Sequence, residues 1–306
     1  MALKEQHRGH VPEQAVAPGA TIATLAVDDV VVASYCDGAG LPAVLAPRPF
    51  LHPVTTLAGT PVTDAQPEDH RWHLGISVTL QDVGGANVWG GRTYVRDEGY
   101  TWLADHGRQV HTDWQERTDS GFRETLTWEG PDGRSLLVEE REVRASRADL
   151  PGAWLLDLRT SLRNATGVPL TLGSPATNGR AGAGYGGLFW RLPAVRAPRV
   201  STPDAEGEDA VHGSLSPWVA LSCGGSSPFT VVLAGRDAAT RRDPWFVRVS
   251  DYPGLGAQLA PEQPVGLPPG DSLTRSFRAL VADGVLGPDD IDRGLTASAA
   301  GNGSRP

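Results

Sequence analysis

The stretch GFRETLTWEGPDGRSLLVEEREVRA (residues 121–145) decides the fold. At its centre Pro131-Asp132-Gly133 is turn chemistry: Pro presets φ, Asp bonds nearby backbone and Gly tolerates a positive φ. Strand candidates on both sides of such a turn predict an antiparallel hairpin. In the second flank Glu139 and Arg141 share a face with Leu137 and Val143, while Glu140 and Glu142 share the other with Leu136 and Val138. Which face turns inward stays open. A Glu and an Arg on an apolar face are costly unless paired or functional.

The same reading extends outward. WLLDLRTSLRN (154–164) sets Leu156, Leu158, Thr160 and Leu162 against Asp157, Arg159 and Ser161, a half-buried antiparallel strand. RQVHTDWQER (108–117) alternates His111, Asp113, Gln115 and Arg117 with Thr112, Trp114 and Glu116. TIATLAV (21–27) and VVVASYC (30–36) read as a hairpin across Asp28-Asp29. GISVTL (75–80) and ANVWGGRTYV (86–95) follow, with a turn at Gly84-Gly85. Further strands are expected at 168–173, 186–193, 216–223, 229–235, 245–250 and 273–283. No segment sustains a helical apolar period, and one helix is expected, at 287–298 with acids in its first turn. The expected fold is all-β, a large antiparallel β-sandwich with few short helices. It forms a single domain over 20–298, between loosely held tails at 1–19 and 299–306.

The chain has 306 residues, 40% hydrophobic and 21% charged, and a net charge of −9. Without a Lys/Arg run no nucleic-acid surface is expected. No apolar run reaches the roughly 18 residues that span a bilayer, and MALKEQHRGHVPEQ has no leader-like apolar core. A soluble, cytoplasmic protein is expected, monomeric or homodimeric. Two cysteines, Cys36 and Cys223, are too few for a disulfide scaffold and read as free thiols.

Candidate chemistry gathers in RPFLHPVTTLAGTPVTDAQPEDHRWHLG (48–75), which holds His52, His70 and His73, the acid pair Glu68-Asp69, and Trp72. Imidazoles suit proton transfer or metal binding near neutral pH. An i, i+3 pair in an extended segment points to opposite faces, so His70 and His73 share a site only if a turn intervenes; Pro67-Glu68-Asp69 supplies one. Three histidines and a carboxylate would suit Zn, Fe or Mn, although the spacing matches no strict metal signature. The other reading is acid/base work without a metal. NGRAGAGYGGLFWR (178–191) lacks the phosphate-loop pattern and reads as a facing wall that presents Asn178, Arg180 and Tyr185. Nine tryptophans, Trp72 and Trp245 among them, fit either a core or a sugar cleft.

Taken in order, RPFLHPV, PEDHRWHLG, NVWGG, GAGYGGLFWR and DPWFVR with the nearby YPG resemble the bacterial methane oxygenase PmoA-like family, whose function is unassigned. That family usually has DHPHHRG where this chain has DHRWHLG, so Trp72 replaces a His and Leu74 an Arg. The resemblance implies a setting among sugar-metabolising proteins. The fold is also similar to galactose-mutarotase-like supersandwich proteins, where a His acts as acid and a Glu as base on a sugar ring.

The expected function is therefore a carbohydrate-active enzyme of epimerase, lyase or hydrolase type that moves protons on a small-molecule sugar. His70 and His73 are the acid/base candidates, with His52 close by and Glu139 as base. Arg48, Trp72, Asn178, Arg180, Tyr185 and Trp245 are the substrate-binding candidates. No cofactor is expected. The competing readings are a non-catalytic sugar-binding module and a divalent-metal oxygenase or hydrolase with His ligands.

Overall fold

The turn at Pro131–Gly133 forms as the sequence predicts. The computed structural model describes residues 11–296, and there Gly121–Glu129 pairs antiparallel with Ser135–Arg147. That hairpin lies near one edge of an eight-stranded sheet. Its order is Arg199–Ser201, Trp218–Cys223, Phe229–Gly235, Ser272–Asp283, Ala153–Asn164, Ser135–Arg147, Gly121–Glu129 and Arg108–Thr118. A seven-stranded sheet runs Thr21–Val27, Val30–Cys36, Phe50–Val54, Ile76–Thr79, Gly187–Arg191, Gly254–Ala257 and Trp245–Arg248. Neighbouring strands in both are antiparallel, and the all-β expectation holds. The sheets share one apolar core, to which one contributes Leu51, Ile76, Val78, Leu188 and Trp190 and the other Leu137, Leu156, Leu158, Phe277 and Ala279. On the far side of the eight-stranded sheet the helix Pro288–Thr296 covers Leu155 and Leu280 with Ile291. No helix among the described residues is long and apolar enough to cross a membrane.

Register settles which face of Ser135–Arg147 turns inward. Leu137, Glu139, Arg141 and Val143 are buried, while Glu140 and Arg144 are exposed. The buried charges are matched group by group. Arg141 donates from Nε to Glu139 Oε1 and from Nη2 to Oε2, each at 2.8 Å. Thr160 Oγ1 and Trp128 Nε1 donate to the same carboxylate. Arg141 continues to the Tyr35 hydroxyl, which donates to Glu124; the other Glu124 oxygen accepts from His111 Nδ1 at 2.7 Å. Burial alone would lower the Arg141 pKa, but Glu139 and Tyr35 outweigh it and hold the guanidinium charged.

Some expectations shift. In Arg108–Thr118 irregularities at His111/Asp113 and Trp114/Glu116 interrupt the strict alternation, and His111 and Trp114 meet with ring centroids 4.3 Å apart. An extra residue in one strand switches the face of everything beyond it. Within 86–95 only Thr93–Val95 is a strand, because Gly90 and Gly91 turn the backbone with positive φ. A short helix at Glu208–Val211 was not expected. The first tail is partly held: Val16 exchanges two hydrogen bonds with the Gln66 amide, and Arg71 donates to the Glu13 carbonyl. Residues 1–10, the tail at 299–306 and the end of the helix expected at 287–298 lie outside the described residues. Cys36 and Cys223 are buried free thiols.

Candidate functional site

Alternation along two strands decides where a site can form. In Gly187–Arg191, Leu188 and Trp190 enter the shared core, so Phe189 and Arg191 turn to the opposite face. In Trp245–Arg248, Trp245 and Val247 enter the core and Phe246 turns out beside Phe189. On this outer face, loops close over a cavity of about 600 Å³. Asp69, His70, Trp72 and His73 come from the loop before Ile76–Thr79, and Gln81, Trp89 and Arg92 from the segment after it. Tyr100 and Trp102 come from the hairpin Thr93–Val95/Gly99–Thr101. Arg180 and Tyr185 precede Gly187–Arg191, and Arg248, Asp251 and Tyr252 complete the lining.

The turn needed to unite the histidines forms twice. His70 N–H bonds to the Pro67 carbonyl and His73 N–H to the His70 carbonyl. The two imidazoles stack with centroids 4.6 Å apart and planes 17° apart. Their nitrogens are held differently. His70 Nδ1 lies 2.7 Å from Asp69 Oδ2; a carboxylate only accepts, so Nδ1 carries the proton and Nε2 keeps its lone pair. Arg191 Nη1 lies 3.3 Å from His73 Nδ1, and a guanidinium only donates, so the His73 proton sits on Nε2. Arg191 Nη2 also reaches Asp69 Oδ1 at 3.3 Å, closing the ring of four groups. Burial first, and then the nearby guanidiniums of Arg191 and Arg48, push the His73 pKa well below the ordinary 6.5 and keep it neutral. Burial raises Asp69, but the His70 hydrogen bond and the Arg191 charge outweigh it, so it stays ionised. One imidazole thus offers a lone pair and its neighbour an N–H.

Aromatic rings surround this pair. Trp72 meets Trp102 edge-on, and Trp89 packs on Tyr185 at 4.6 Å. Trp72 lies on Gly91, where a Cβ would fall 2.5 Å from the indole. Tyr185 and Tyr100 share a hydrogen bond between hydroxyls at 2.9 Å, and burial raises the Tyr185 pKa well above its ordinary range. Gln81 Nε2 reaches the Tyr185 hydroxyl and the Arg92 carbonyl, whereas buried Gln81 Oε1 has no partner.

Residues 23–295 match a family described only as of unknown function (DUF6807). The chain belongs to that family. The match spans the whole ordered set of sequence blocks but lends no support to the methane-oxygenase name. No curated protein matches. Among solved structures, a candidate aldose 1-epimerase from Escherichia coli K12 aligns at 12% identity and TM-score 0.43, over 86% of this chain and 99% of its own. A heparinase III aligns at 7% identity and TM-score 0.22, over 57% of this chain and 21% of its own.

In this DUF6807 protein the cavity unites His70, His73, Trp72, Arg180 and Tyr185 from the candidates. Five others lie elsewhere. Glu139 sits between the sheets with both oxygens engaged by Arg141, Thr160 and Trp128. Arg48 is fully buried and donates to the carbonyls of Leu45, Ala46, Trp72 and Trp89 and to Ser77 Oγ; it holds the loops beneath the cavity rather than a ligand. Burial, and then Arg141, bring its pKa down to about 9. His52 stays on its strand, hydrogen-bonded to Thr63 Oγ1, outside the cavity. Asn178 turns to Asp82. Trp245 points into the core, one residue out of phase with Phe246. Among the described residues no three His, Cys, Asp or Glu side chains gather to hold a metal.

Sequence reasoning missed Gln81, Arg92, Tyr100, Trp102, Arg191 and Tyr252. The available signal was convergence: Arg92 directly follows NVWGG, Arg191 ends GLFWR, and Tyr252 begins YPG.

Proposed function

We propose that the protein binds a small-molecule carbohydrate in this cavity and moves a proton on it, with His70 as the base and Asp69 as the group that orients it. One observation carries the reading: a histidine with Nδ1 fixed by a carboxylate and Nε2 unengaged lines a cavity walled by Trp72, Trp89, Trp102, Tyr100 and Tyr252. An imidazole so held is a general base near neutral pH. Flat aromatic faces suit the apolar faces of sugar rings. His73, neutral and carrying its proton on Nε2, donates a hydrogen bond to a ligand oxygen or to the charge that develops there. Epimerisation and elimination both begin when such a base removes a C–H proton and such a donor steadies the charge left behind.

The test is proton exchange. Sugars and sugar derivatives incubated with the protein in D2O should lose one C–H resonance, and His70→Ala should abolish that loss. A ligand that binds without any exchange, keeps its affinity in His70→Ala and loses it in Trp72→Ala would make the protein a non-catalytic sugar-binding module.

A further inference from the structure

We infer that the ligand of this cavity is an anionic sugar, one that carries a carboxylate or phosphate beside its hydroxyls; this rests on the carbohydrate reading above. Three arginines line the cavity: Arg92, Arg180 and Arg248. Arg248 is already committed, with Glu208 at 3.7 Å and the Val247 and Gly182 carbonyls as acceptors. Arg92 and Arg180 are different. Among the described residues neither has a carboxylate partner. The Arg92 guanidinium has no hydrogen-bond acceptor at all and lies over the Trp102 ring at 5.6 Å. Arg180 lies over the Tyr100 ring at 4.9 Å and donates only to the hydroxyl of that ring. Both rings are themselves cavity walls, so stacking holds each cation against the lining.

The cavity carboxylates do not neutralise these two cations. Asp69 is taken up by His70 and Arg191, and Asp251 lies exposed on the lining. A planar guanidinium offers paired donors that match carboxylate and phosphate oxygens. The second observation is independent of charge. Gln81 is 3% exposed, lines the cavity and has an unpartnered Oε1. A buried amide oxygen without a donor is costly. A ligand hydroxyl supplies the donor, which a simple carboxylate such as acetate lacks. Acceptor and free cations together describe a hydroxylated anion.

The experiment is calorimetric titration at low salt with matched sets: D-glucose, D-glucuronate and D-glucose 6-phosphate; D-galactose, D-galacturonate and D-galactose 6-phosphate; and acetate and inorganic phosphate. The expected result is that one acidic sugar binds at least about tenfold tighter than its neutral parent, the ordinary reach of a charge-assisted hydrogen bond. Arg92→Gln and Arg180→Gln should weaken the acidic sugar by a larger factor than its neutral parent, and so remove that advantage. Gln81→Leu should weaken acid and parent alike. Uronate against phosphate then names the anion. Equal binding of neutral and acidic sugars, or an advantage that survives both arginine variants, overturns the anionic assignment and leaves the carbohydrate reading standing. Acetate binding as tightly as the uronate overturns the hydroxyl contact at Gln81, and inorganic phosphate binding as tightly as the sugar phosphate overturns the sugar as carrier of the anion. If no sugar of either kind binds the folded protein, both readings fall.

Discussion

Two of the ionic networks among the described residues differ in what they leave unused. Between the sheets, Glu139, Arg141, Tyr35, Glu124 and His111 form a chain in which each carboxylate oxygen meets a donor. Over the outer face of the other sheet, His70, Asp69, Arg191 and His73 form a ring of similar size. There, Arg191 Nε and Gln81 Oε1 stay buried without partners. The first network is more deeply buried and looks more unusual in sequence, yet it is closed. Burial of charge therefore marks no function by itself; an unpartnered group on a cavity wall, as Gln81 Oε1 is, gives a ligand something to meet.

Substitutions can break this contrast. The largest effect is expected for His70→Ala: a loss of about 10² to 10⁴ in sugar proton exchange, with unfolding free energy changed by no more than about 0.5 kcal/mol because the ring is partly exposed. A large fall in stability would place His70 with the closed network. Glu139→Ala should do the reverse. It leaves Arg141 as an uncompensated buried charge and should cost about 3–5 kcal/mol of stability in denaturant titration. A stable Glu139→Ala protein without exchange activity would return Glu139 to a catalytic role.

Gly91→Ala sharpens the comparison from the cavity side. The new methyl meets the Trp72 indole on a backbone with φ of +71°, so a destabilisation of about 1–3 kcal/mol should accompany weaker sugar binding. The smallest effect is pH-dependent. His73 is held neutral in the fold, below its ordinary 6.5. Under acid the unfolded chain binds a proton that the folded chain refuses, so stability is full above about pH 6.5 and declines as pH falls. The slope reaches about 1.4 kcal/mol per pH unit for one such group. His52 and His212, also lowered mainly by burial, add to it. Denaturant midpoints between pH 7 and 5 should follow this decline, and His73→Gln should flatten it.

Much of the sheet structure was legible because its signals are local. The strands at 21–27, 30–36 and 229–235 begin and end where their β-branched runs do. The condition on His70 and His73, a turn between them, was legible too. Other features needed the partner strand. The burial of Glu139 was ambiguous because both faces of 134–145 mix apolar and charged residues, Leu137 and Val143 beside Glu139 and Arg141 on one and Leu136 and Val138 beside Glu140 and Glu142 on the other. The choice of Phe246 over Trp245 depends on which face of that strand meets the core. Arg48 reads as a ligand-binding cation until its surrounding carbonyls are known, since carbonyl direction leaves no trace in composition.

The strand order of the seven-stranded sheet has a consequence for how the protein is made. Its first four strands come from residues 21–79 and its last three from 187–257. The eight-stranded sheet likewise has a run of four neighbours, between residues 108 and 164, that are consecutive in the chain. On a ribosome that run can pair as it emerges. The cavity waits far longer, because Phe246 and Tyr252 are synthesised some 180 residues after His70. Trp72, Trp89 and the two histidines meet Tyr185 and Phe189 first and Phe246 and Tyr252 last, so the nascent chain carries a partly exposed aromatic surface through most of its translation.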